Sequence, residues 1–166
     1  MGDAAPVVDE PRVGEPFIET YLPYLLRRAD QTLSAPFYAV LDDYGIARSD
    51  WRVLAVLHER GAMTVVELAA AALSPQPTVT HALRRLEARH LVVRTHGTLD
   101  KRQRVVSITP AGSTLADALF DEARRLEAEA LADASGVADL VARLRSVTAT
   151  VEAHVAARVA DARSAG

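Results

Sequence analysis

The sequence predicts a mainly α-helical fold with a small β-wing, and three observations support this fold class. Apolar residues recur every three to four positions over long segments near both ends of the chain, as they do in amphipathic helices. Between these segments, helix-capping signals stand at residues 64–67 and 74–75. Two runs with strand character, 91–95 and 104–108, follow and are joined by a glycine-containing loop. The chain is therefore expected to place short helices and a hairpin between longer helices.

The first long helix is expected over residues 17 to about 44, after an acidic, proline-spaced tail of residues 1–16 that we expect to be flexible. Pro23 falls in its first turn, where a missing backbone N–H is harmless. Pro36 lies inside and is expected to kink or split the helix. Gly45 is expected to end it as a left-handed cap.

Three shorter helices are expected next, each with its own start signal. Ser49 is the expected N-cap of the first. Thr64 and Glu67 have the spacing of a capping box, which opens the second. Ser74 stands before a proline, a combination that opens the third.

Two further helices are expected after the hairpin. Thr109 stands before a proline and is the expected N-cap of a helix that runs to about Asp133. The last helix carries an apolar stripe made of Val137, Leu140, Val141, Leu144, Val147, Val151, Val155 and Val159. Because this stripe is longer than the small central unit can cover, we expect the first helix and the last two to form a separate layer.

The composition is that of an ordinary soluble protein, with 49% apolar and 25% charged residues among 166. No apolar run approaches the roughly 18 residues that a membrane helix needs, and the N-terminal segment is neither a signal peptide nor a transit peptide. We therefore expect a cytoplasmic protein without a membrane partner. The absence of cysteine excludes disulfides, thiolate metal sites and thiol-based redox sensing.

The net charge of −3 conceals a local basic region. Residues 74–110 hold seven arginines and lysines against two acids, a surplus of +5, which leaves −8 for the rest of the chain. A basic patch on an acidic body is what a protein needs in order to present one face to phosphates.

The helix that begins after Ser74 carries short polar groups at its front and arginines behind them. Amide, hydroxyl and imidazole groups can reach base edges in a DNA major groove, and arginines one turn further on can reach phosphates or guanine. The residues that we expect to contact DNA from this helix are Ser74, Gln76, Thr78, Thr80, His81, Arg84 and Arg85. The alternative is an amphipathic helix whose polar face is only solvated.

The hairpin has a basic tip, which folding does not require. The negative potential of the minor groove favours an arginine there, and an adjacent aspartate can hold the guanidinium in place. The residues that we expect to contact DNA from the hairpin are Arg94, Asp100, Lys101, Arg102 and Arg104. The alternative is a solvated, charged hairpin.

The chain resembles the MarR family of bacterial transcriptional regulators in two stretches, L-S-P-Q-P-T-V-T-H-A-L-R-R-L-E-A-R-H-L-V-V-R at 73–94 and D-K-R-Q-R-V-V-S-I-T-P-A-G at 100–112. The resemblance covers residues 17 to about 133, and the helix order matches to the C-terminus. Two positions depart from the family's pattern. His81 stands where arginine is frequent, and His90 stands where glycine is usual.

This resemblance implies an obligate homodimer, with one winged helix-turn-helix DNA-binding lobe per subunit and a helical dimerisation layer built from both chain ends. The implied parts are an N-terminal dimerisation helix at 17–48, the DNA-binding lobe at 49–110 and C-terminal dimerisation helices at 111–166. In the family's pattern Asp100 orients Arg102, and Arg102 enters the minor groove. The resemblance also implies a small effector bound between the dimerisation layer and the lobe.

Several aromatic side chains and one arginine lie on two helices that we expect to face each other. This combination suits an aromatic acid or its coenzyme A thioester. The candidate effector-binding residues are Tyr21, Tyr24, Arg28, Trp51 and His58. The alternative is that Tyr21, Trp51 and their neighbours are core residues, as aromatic residues at helical spacing usually are.

An enzyme is poorly supported by the sequence. The five histidines are scattered, without a pair or a histidine–glutamate spacing typical of a metal site. A nucleophile elbow and a glycine-rich phosphate loop are both missing. We therefore expect no catalytic residue, no metal and no cofactor.

The sequence thus predicts a homodimeric, ligand-responsive regulator, expected to be a repressor, that binds a pseudo-palindromic double-stranded DNA operator. The second hypothesis is a winged-helix protein-interaction module without DNA binding. The third is an enzyme with an unrecognised site. A strong salt dependence of DNA affinity distinguishes the first two, because only phosphate contacts release counterions.

Overall fold

The computed structural model of the protein describes residues 16–96 and 104–164. These residues form a mainly helical fold with one small antiparallel sheet, which confirms the predicted fold class. The elements in chain order are α1 (Phe17–Thr20), α2 (Leu22–Asp43), α3 (Arg48–Arg60), β1 (Met63–Thr64), α4 (Val65–Ala71), α5 (Gln76–Ala88), β2 (Val92–His96), β3 (Arg104–Ile108), α6 (Pro110–Ala130) and α7 (Val137–Ser164).

The chain divides into two compact units between Glu127 and Ala128. The first unit has one hydrophobic core, to which helices α2 to α6 and the sheet contribute. Its most deeply buried side chains are Leu41, Ile46, Val53, Leu54, Leu57, Leu68, Val79, Leu83, Leu86, Val106 and Leu119. Burial of these side chains holds α3, α4 and α5 in fixed positions against each other.

The predicted first helix is interrupted near its start and continuous at Pro36. Tyr21 has an extended backbone and separates α1 from α2. Pro36 does not split α2, although it removes one backbone donor from the helix, because the following turn packs Phe37 and Leu41 into the core. Gly45 has a φ of +61° and ends the helix as predicted.

Of the predicted caps in the middle of the chain, the capping box of Thr64 is confirmed. The Thr64 backbone N–H donates to Glu67 over 2.8 Å, and the Glu67 N–H donates to the Thr64 hydroxyl over 3.3 Å. The pKa of Glu67 is kept below its ordinary value because its carboxylate accepts hydrogen bonds from the Thr64 backbone N–H and from the Thr64 hydroxyl, the second over 2.8 Å. The other two caps are wrong: Ala47 precedes α3 in place of Ser49, and the Ser74 hydroxyl donates to the Ala72 carbonyl while Pro75 occupies the cap position of α5.

The two predicted strands are confirmed, and the structure adds a third. The sheet order is β1-β3-β2, with all neighbours antiparallel. Strand β1 pairs Met63 with Val106 and Thr64 with Val105. It is too short for a sequence pattern to reveal it. His90, just before β2, has a φ of +57°, a left-handed conformation that glycine adopts without strain.

Helix α6 starts as predicted, and its first turn packs tightly on the hairpin. The Thr109 hydroxyl accepts from the Gly112 N–H over 3.1 Å, which caps the helix. Gly112 is buried, and a Cβ atom added to it would lie 2.1 Å from the carbonyl oxygen of Leu91. The helix ends at Ala130, before the predicted end at Asp133, and residues 131–133 form turns.

Each unit leaves apolar side chains exposed on a long helix. In the first unit, α1 and α2 expose large apolar side chains by 39–70%: Phe17, Ile18, Tyr21, Leu22, Tyr24, Leu25, Leu26 and Leu33. In the second unit, α7 exposes side chains by 41–56%: Leu140, Val141, Val147, Val151, Val155 and Val159. Such large exposed apolar faces mark surfaces of protein association.

Candidate nucleic-acid interface

Helix α5 has one buried and one exposed face, and the exposed face carries most of the predicted base-contacting groups. Its apolar side chains Val79, Ala82, Leu83 and Leu86 are buried in the core. On the exposed face a shallow depression of about 290 Å³ is lined by Gln76, Pro77, Thr80, His81 and Arg84. The fold therefore brings an amide, a hydroxyl, an imidazole and a guanidinium onto one surface.

Ser74 and Thr78, which are predicted to contact DNA, lie outside this depression. Thr80 lies inside it but already donates a hydrogen bond within α5. Ser74 bonds to the turn before α5, and the exposed Thr78 lies on the flank of α5 that carries Arg85, seven residues along. The Thr80 hydroxyl donates to the Gln76 carbonyl over 2.9 Å. Its oxygen keeps lone pairs with which it can accept a hydrogen bond.

Arg85, which we expect to reach phosphate or guanine, forms hydrogen bonds to an aspartate of α3. Its Nε lies 3.2 and 3.0 Å from the two carboxylate oxygens of Asp50, and its Nη2 lies 2.5 Å from Oδ1. The same Nη2 donates to the Ser49 hydroxyl over 3.0 Å. The hydrogen bonds to Asp50 raise the pKa of Arg85 above its ordinary value. Arg85 thus acts as a tie between α5 and the start of α3.

The hairpin residues are described only in part. Arg94 in β2 forms an ion pair with Glu87 of α5, with 2.9 Å between Nε and Oε1. The backbone of Arg104 lies in β3, opposite His96. The predicted contacts Asp100, Lys101 and Arg102 lie outside the residues that the structure describes.

The five predicted effector residues are not brought together. Tyr21 stacks on Phe17, with ring centroids 4.8 Å apart, and Tyr24 and Arg28 are exposed further along α2. Trp51 contacts Phe37 of α2 edge-on, at 5.1 Å, as core residues do. Trp51 therefore contacts the C-terminal half of α2, whereas Tyr21 precedes α2 and Tyr24 lies in its first turn.

Trp51 and His58 line two separate surface pockets. One, of about 420 Å³, lies between α2, α3 and α4 and is lined by Asp30, Trp51, Arg52, Ala55, Val56, Ala71, Ala72 and Leu73. The other, of about 680 Å³, lies between α3 and α6 and is lined by His58, Glu59, Asp117, Phe120, Asp121 and Arg124. His58 is held there between the Ser113 hydroxyl, at 3.2 Å, and the Asp117 carboxylate, at 3.1 Å.

The comparison with solved structures decides the family. A MarR family transcriptional regulator from Silicibacter pomeroyi is 34% identical, with a TM-score of 0.71, and the match covers 82% of this chain and 99% of that one. The chain belongs to the MarR family. The MarR family profile matches residues 46–103, which include α3, α4, α5 and β2.

Two other relatives of this MarR-family protein bear on its function. The transcriptional regulator FarR of Neisseria gonorrhoeae is 31% identical over 97 residues, which are 58% of this chain and 66%, just under two thirds, of FarR. BpsR of Bordetella bronchiseptica is 28% identical with a TM-score of 0.69, over 81% of this chain and 96% of BpsR. The DNA binding of BpsR is regulated by 6-hydroxynicotinic acid.

Two side chains that the sequence reasoning missed bind α5 of this MarR-family protein to the region between the end of α2 and the first turn of α3. Asp50 is the partner of Arg85, and Arg89 donates to the carbonyls of Gly45 and Tyr44 over 2.7 and 3.2 Å. Both partners are more than 30 residues distant in sequence, so that no local pattern marks them. An aspartate in the first turn of a helix is common because it interacts favourably with the helix dipole. The sequence position of Asp50 therefore gives no sign of its contact with Arg85.

Within 16–96 and 104–164, the structure shows neither a metal-binding group nor a membrane span. No group of three or more histidine, aspartate or glutamate side chains there could hold a metal ion. No helix in those ranges is both long enough and apolar enough to cross a bilayer.

Proposed function

We propose that this MarR-family protein is a ligand-responsive transcriptional regulator that binds a pseudo-palindromic DNA operator as a homodimer. We further propose that it acts as a repressor and that a small aromatic acid, or its coenzyme A thioester, releases it from DNA. The observation that carries the DNA-binding proposal is the exposed front of α5, where Gln76, Thr80, His81 and Arg84 share one surface above a fully buried opposite face.

The DNA contacts divide by chemistry into base readout and backbone binding. Gln76, Thr80 and His81 offer donors and acceptors of the kind that base edges in the major groove accept. Arg84 follows one turn later and is exposed, as a phosphate contact must be. We propose that the basic hairpin, with Arg102 and its neighbour Asp100, adds contacts on the flanking minor groove.

A homodimer is supported by the exposed apolar faces of α1, α2 and α7. A monomer would leave these faces in water, whereas a second copy of the chain would bury them. The two-fold symmetry of such a dimer would place one α5 in each half-site, about 34 Å apart along the DNA. A pseudo-palindromic operator follows from that symmetry.

The DNA-binding proposal is tested by selecting duplexes from a random pool with the wild type, His81→Ala and His154→Ala. The wild type is expected to enrich a pseudo-palindrome, with an affinity that falls steeply as salt rises. His81→Ala should enrich an altered sequence, because one base-contacting group is lost, whereas the matched control His154→Ala, on α7, should not. Absence of enrichment together with salt-independent binding would favour the protein-interaction module instead.

The effector proposal rests on the pocket beside Trp51 and on the chemistry of a relative's ligand. At about 420 Å³ the pocket has the size of a small-molecule site, with an aromatic ring, several alkyl side chains and the Arg52 guanidinium in its lining. 6-Hydroxynicotinic acid, named for BpsR, is itself an aromatic carboxylic acid. A carboxylate is expected to bind at Arg52 and away from Asp30, which carries the same charge.

A ligand in this pocket would touch α2, α3 and α4 together, and could therefore favour a spacing of the two lobes that does not fit the operator. A tenfold loss of DNA affinity needs only about 1.4 kcal/mol of coupling, and DNA must then weaken ligand binding by the same factor.

Calorimetry with benzoates, hydroxynicotinates, hydroxycinnamates and their thioesters tests the effector class and its site. We expect binding to the wild type and at least about tenfold weaker binding to Arg52→Ala, because a carboxylate loses its charge-assisted hydrogen bonds. Arg28→Ala is the comparison, because Arg28 was the guanidinium expected from the sequence and lines neither pocket. Loss of binding in Arg28→Ala alone would place the ligand at the N-terminal half of α2.

A further inference from the structure

Asp50 is the only buried polar or charged side chain among the described residues, with 3% of its surface exposed. It lies in the first turn of α3, and its carboxylate receives three N–H contacts of 2.5–3.2 Å from Arg85 of α5. Burial of a carboxylate is costly, and replacement of a buried ion pair by apolar residues is often neutral or stabilising. Stability is therefore a weak explanation for this carboxylate.

Arg85 has a counterpart one turn later on the same flank of α5. Arg89 donates to the carbonyl oxygens of Gly45 and Tyr44, which close the C-terminal end of α2. The corner between α2 and α3, residues 44–50, therefore holds α5 at two points. A helix held at two points one turn apart can neither rotate about its axis nor slide along it without breaking one of them.

We propose that Asp50 is a positioning residue for DNA recognition, which acts through Arg85 and, together with the buried face of α5, sets the rotation of that helix. This inference rests on the proposed DNA-binding function and deepens it. With Asp50 in place, Gln76, Thr80 and His81 face outward together. Arg85 is then a positioning residue as well, and its charge is not a contact with the DNA backbone.

The two roles that Arg85 could have predict opposite results for Asp50. If Arg85 contacts phosphate, loss of the Asp50 charge should leave DNA affinity unchanged or increase it, because a competing anion near the DNA is removed. If Asp50 positions α5, the same change should weaken binding to the operator while binding to unrelated DNA is retained, because only base readout depends on the rotation of the helix.

The experiment measures operator and nonspecific DNA affinity, each over a range of salt concentrations, for the full-length wild type, Asp50→Asn, Arg85→Ala and the double variant. We expect Asp50→Asn and Arg85→Ala to weaken operator binding about tenfold or more, with no further loss in the double variant. The slope of affinity against salt should stay unchanged. Arg84→Ala is the contrast, because a phosphate contact should reduce that slope by about one. Asp42→Asn, an exposed acid near the corner, controls for the change in charge.

Operator affinity of Asp50→Asn equal to or above that of the wild type would overturn the inference and leave the proposed function intact. A reduced salt slope in Arg85→Ala would overturn it too, because Arg85 would then be a phosphate contact. Wild-type protein without salt-dependent DNA binding would overturn both. Thermal unfolding by circular dichroism verifies that each variant is folded. If Asp50→Asn is not folded, Arg85→Lys replaces it, with the same expected loss of operator preference, since a lysine cannot reproduce the two-nitrogen contact.

Discussion

Gly112→Ala is expected to destabilise the protein by at least about 3 kcal/mol, although alanine is the better helix former by about 1 kcal/mol. The added Cβ atom would lie 2.1 Å from the Leu91 carbonyl oxygen and 2.8 Å from Cγ1 of Ile108. The backbone at Leu91 cannot yield easily, because its carbonyl accepts the Thr109 N–H over 3.0 Å. The start of α6 and the hairpin would have to separate.

Thermal unfolding at a fixed protein concentration measures this effect, which corresponds to a fall in Tm of about 6 to 12 °C for a chain of this size. Ala111→Gly is the matched control, because it makes the reverse change at an exposed position of the same turn. We expect it to cost about 1 kcal/mol or less. A Gly112→Ala protein as stable as the wild type would show that the hairpin and α6 do not pack as closely as described.

Val151→Asp is expected to convert the proposed dimer to monomer, with a dimer dissociation constant raised at least about ten-thousandfold. In the single chain Val151 is 54% exposed, so that an aspartate there should leave the subunit folded. If α7 lies in a two-fold interface, the substitution buries two unpaired charges per dimer, and each costs about 3 kcal/mol or more. We therefore expect a large loss of dimer affinity and little change in the stability of the single subunit.

Sedimentation velocity over a range of concentrations measures the association state. Ala153→Asp is the matched control, since residue 153 is about 200° around the helix from residue 151 and lies away from the apolar row. We expect that control to stay dimeric. A Val151→Asp protein that also sediments as a dimer would exclude α7 from the interface.

The features that the sequence predicted correctly have local causes. The hydroxyls of Thr64 and Thr109 each accept a hydrogen bond from a backbone N–H three positions later. A short sequence pattern therefore contains both the capping residue and its partner. Gly45 lies where the backbone is left-handed, a conformation that glycine adopts without strain, so the residue type itself predicts the end of the helix. His90 adopts the same conformation without being glycine, at the position where the family resemblance indicated a departure.

The features that the sequence did not predict depend on distant contacts. A kink or a split is expected at Pro36, and α2 is not split there because the next turn packs into the core. The hydrogen bonds of Arg85 to Asp50 join residues 35 positions apart, so that no local pattern predicts them. The predicted effector residues lie apart in the single chain, where Trp51 contacts Phe37 in the C-terminal half of α2, and the sequence could not show which half of α2 contacts Trp51.

Strand β1 joins the described hairpin strands to the helix-turn-helix. Thr64 pairs with Val105 of β3 and is also the N-cap of α4, so that one residue belongs to both parts. If α5 and the hairpin strands contact DNA as we propose, we expect the distance along DNA between their contacts to be constant within one lobe. Among natural binding sites, we expect each half to keep its length, and differences in affinity to follow the number of base pairs between the halves.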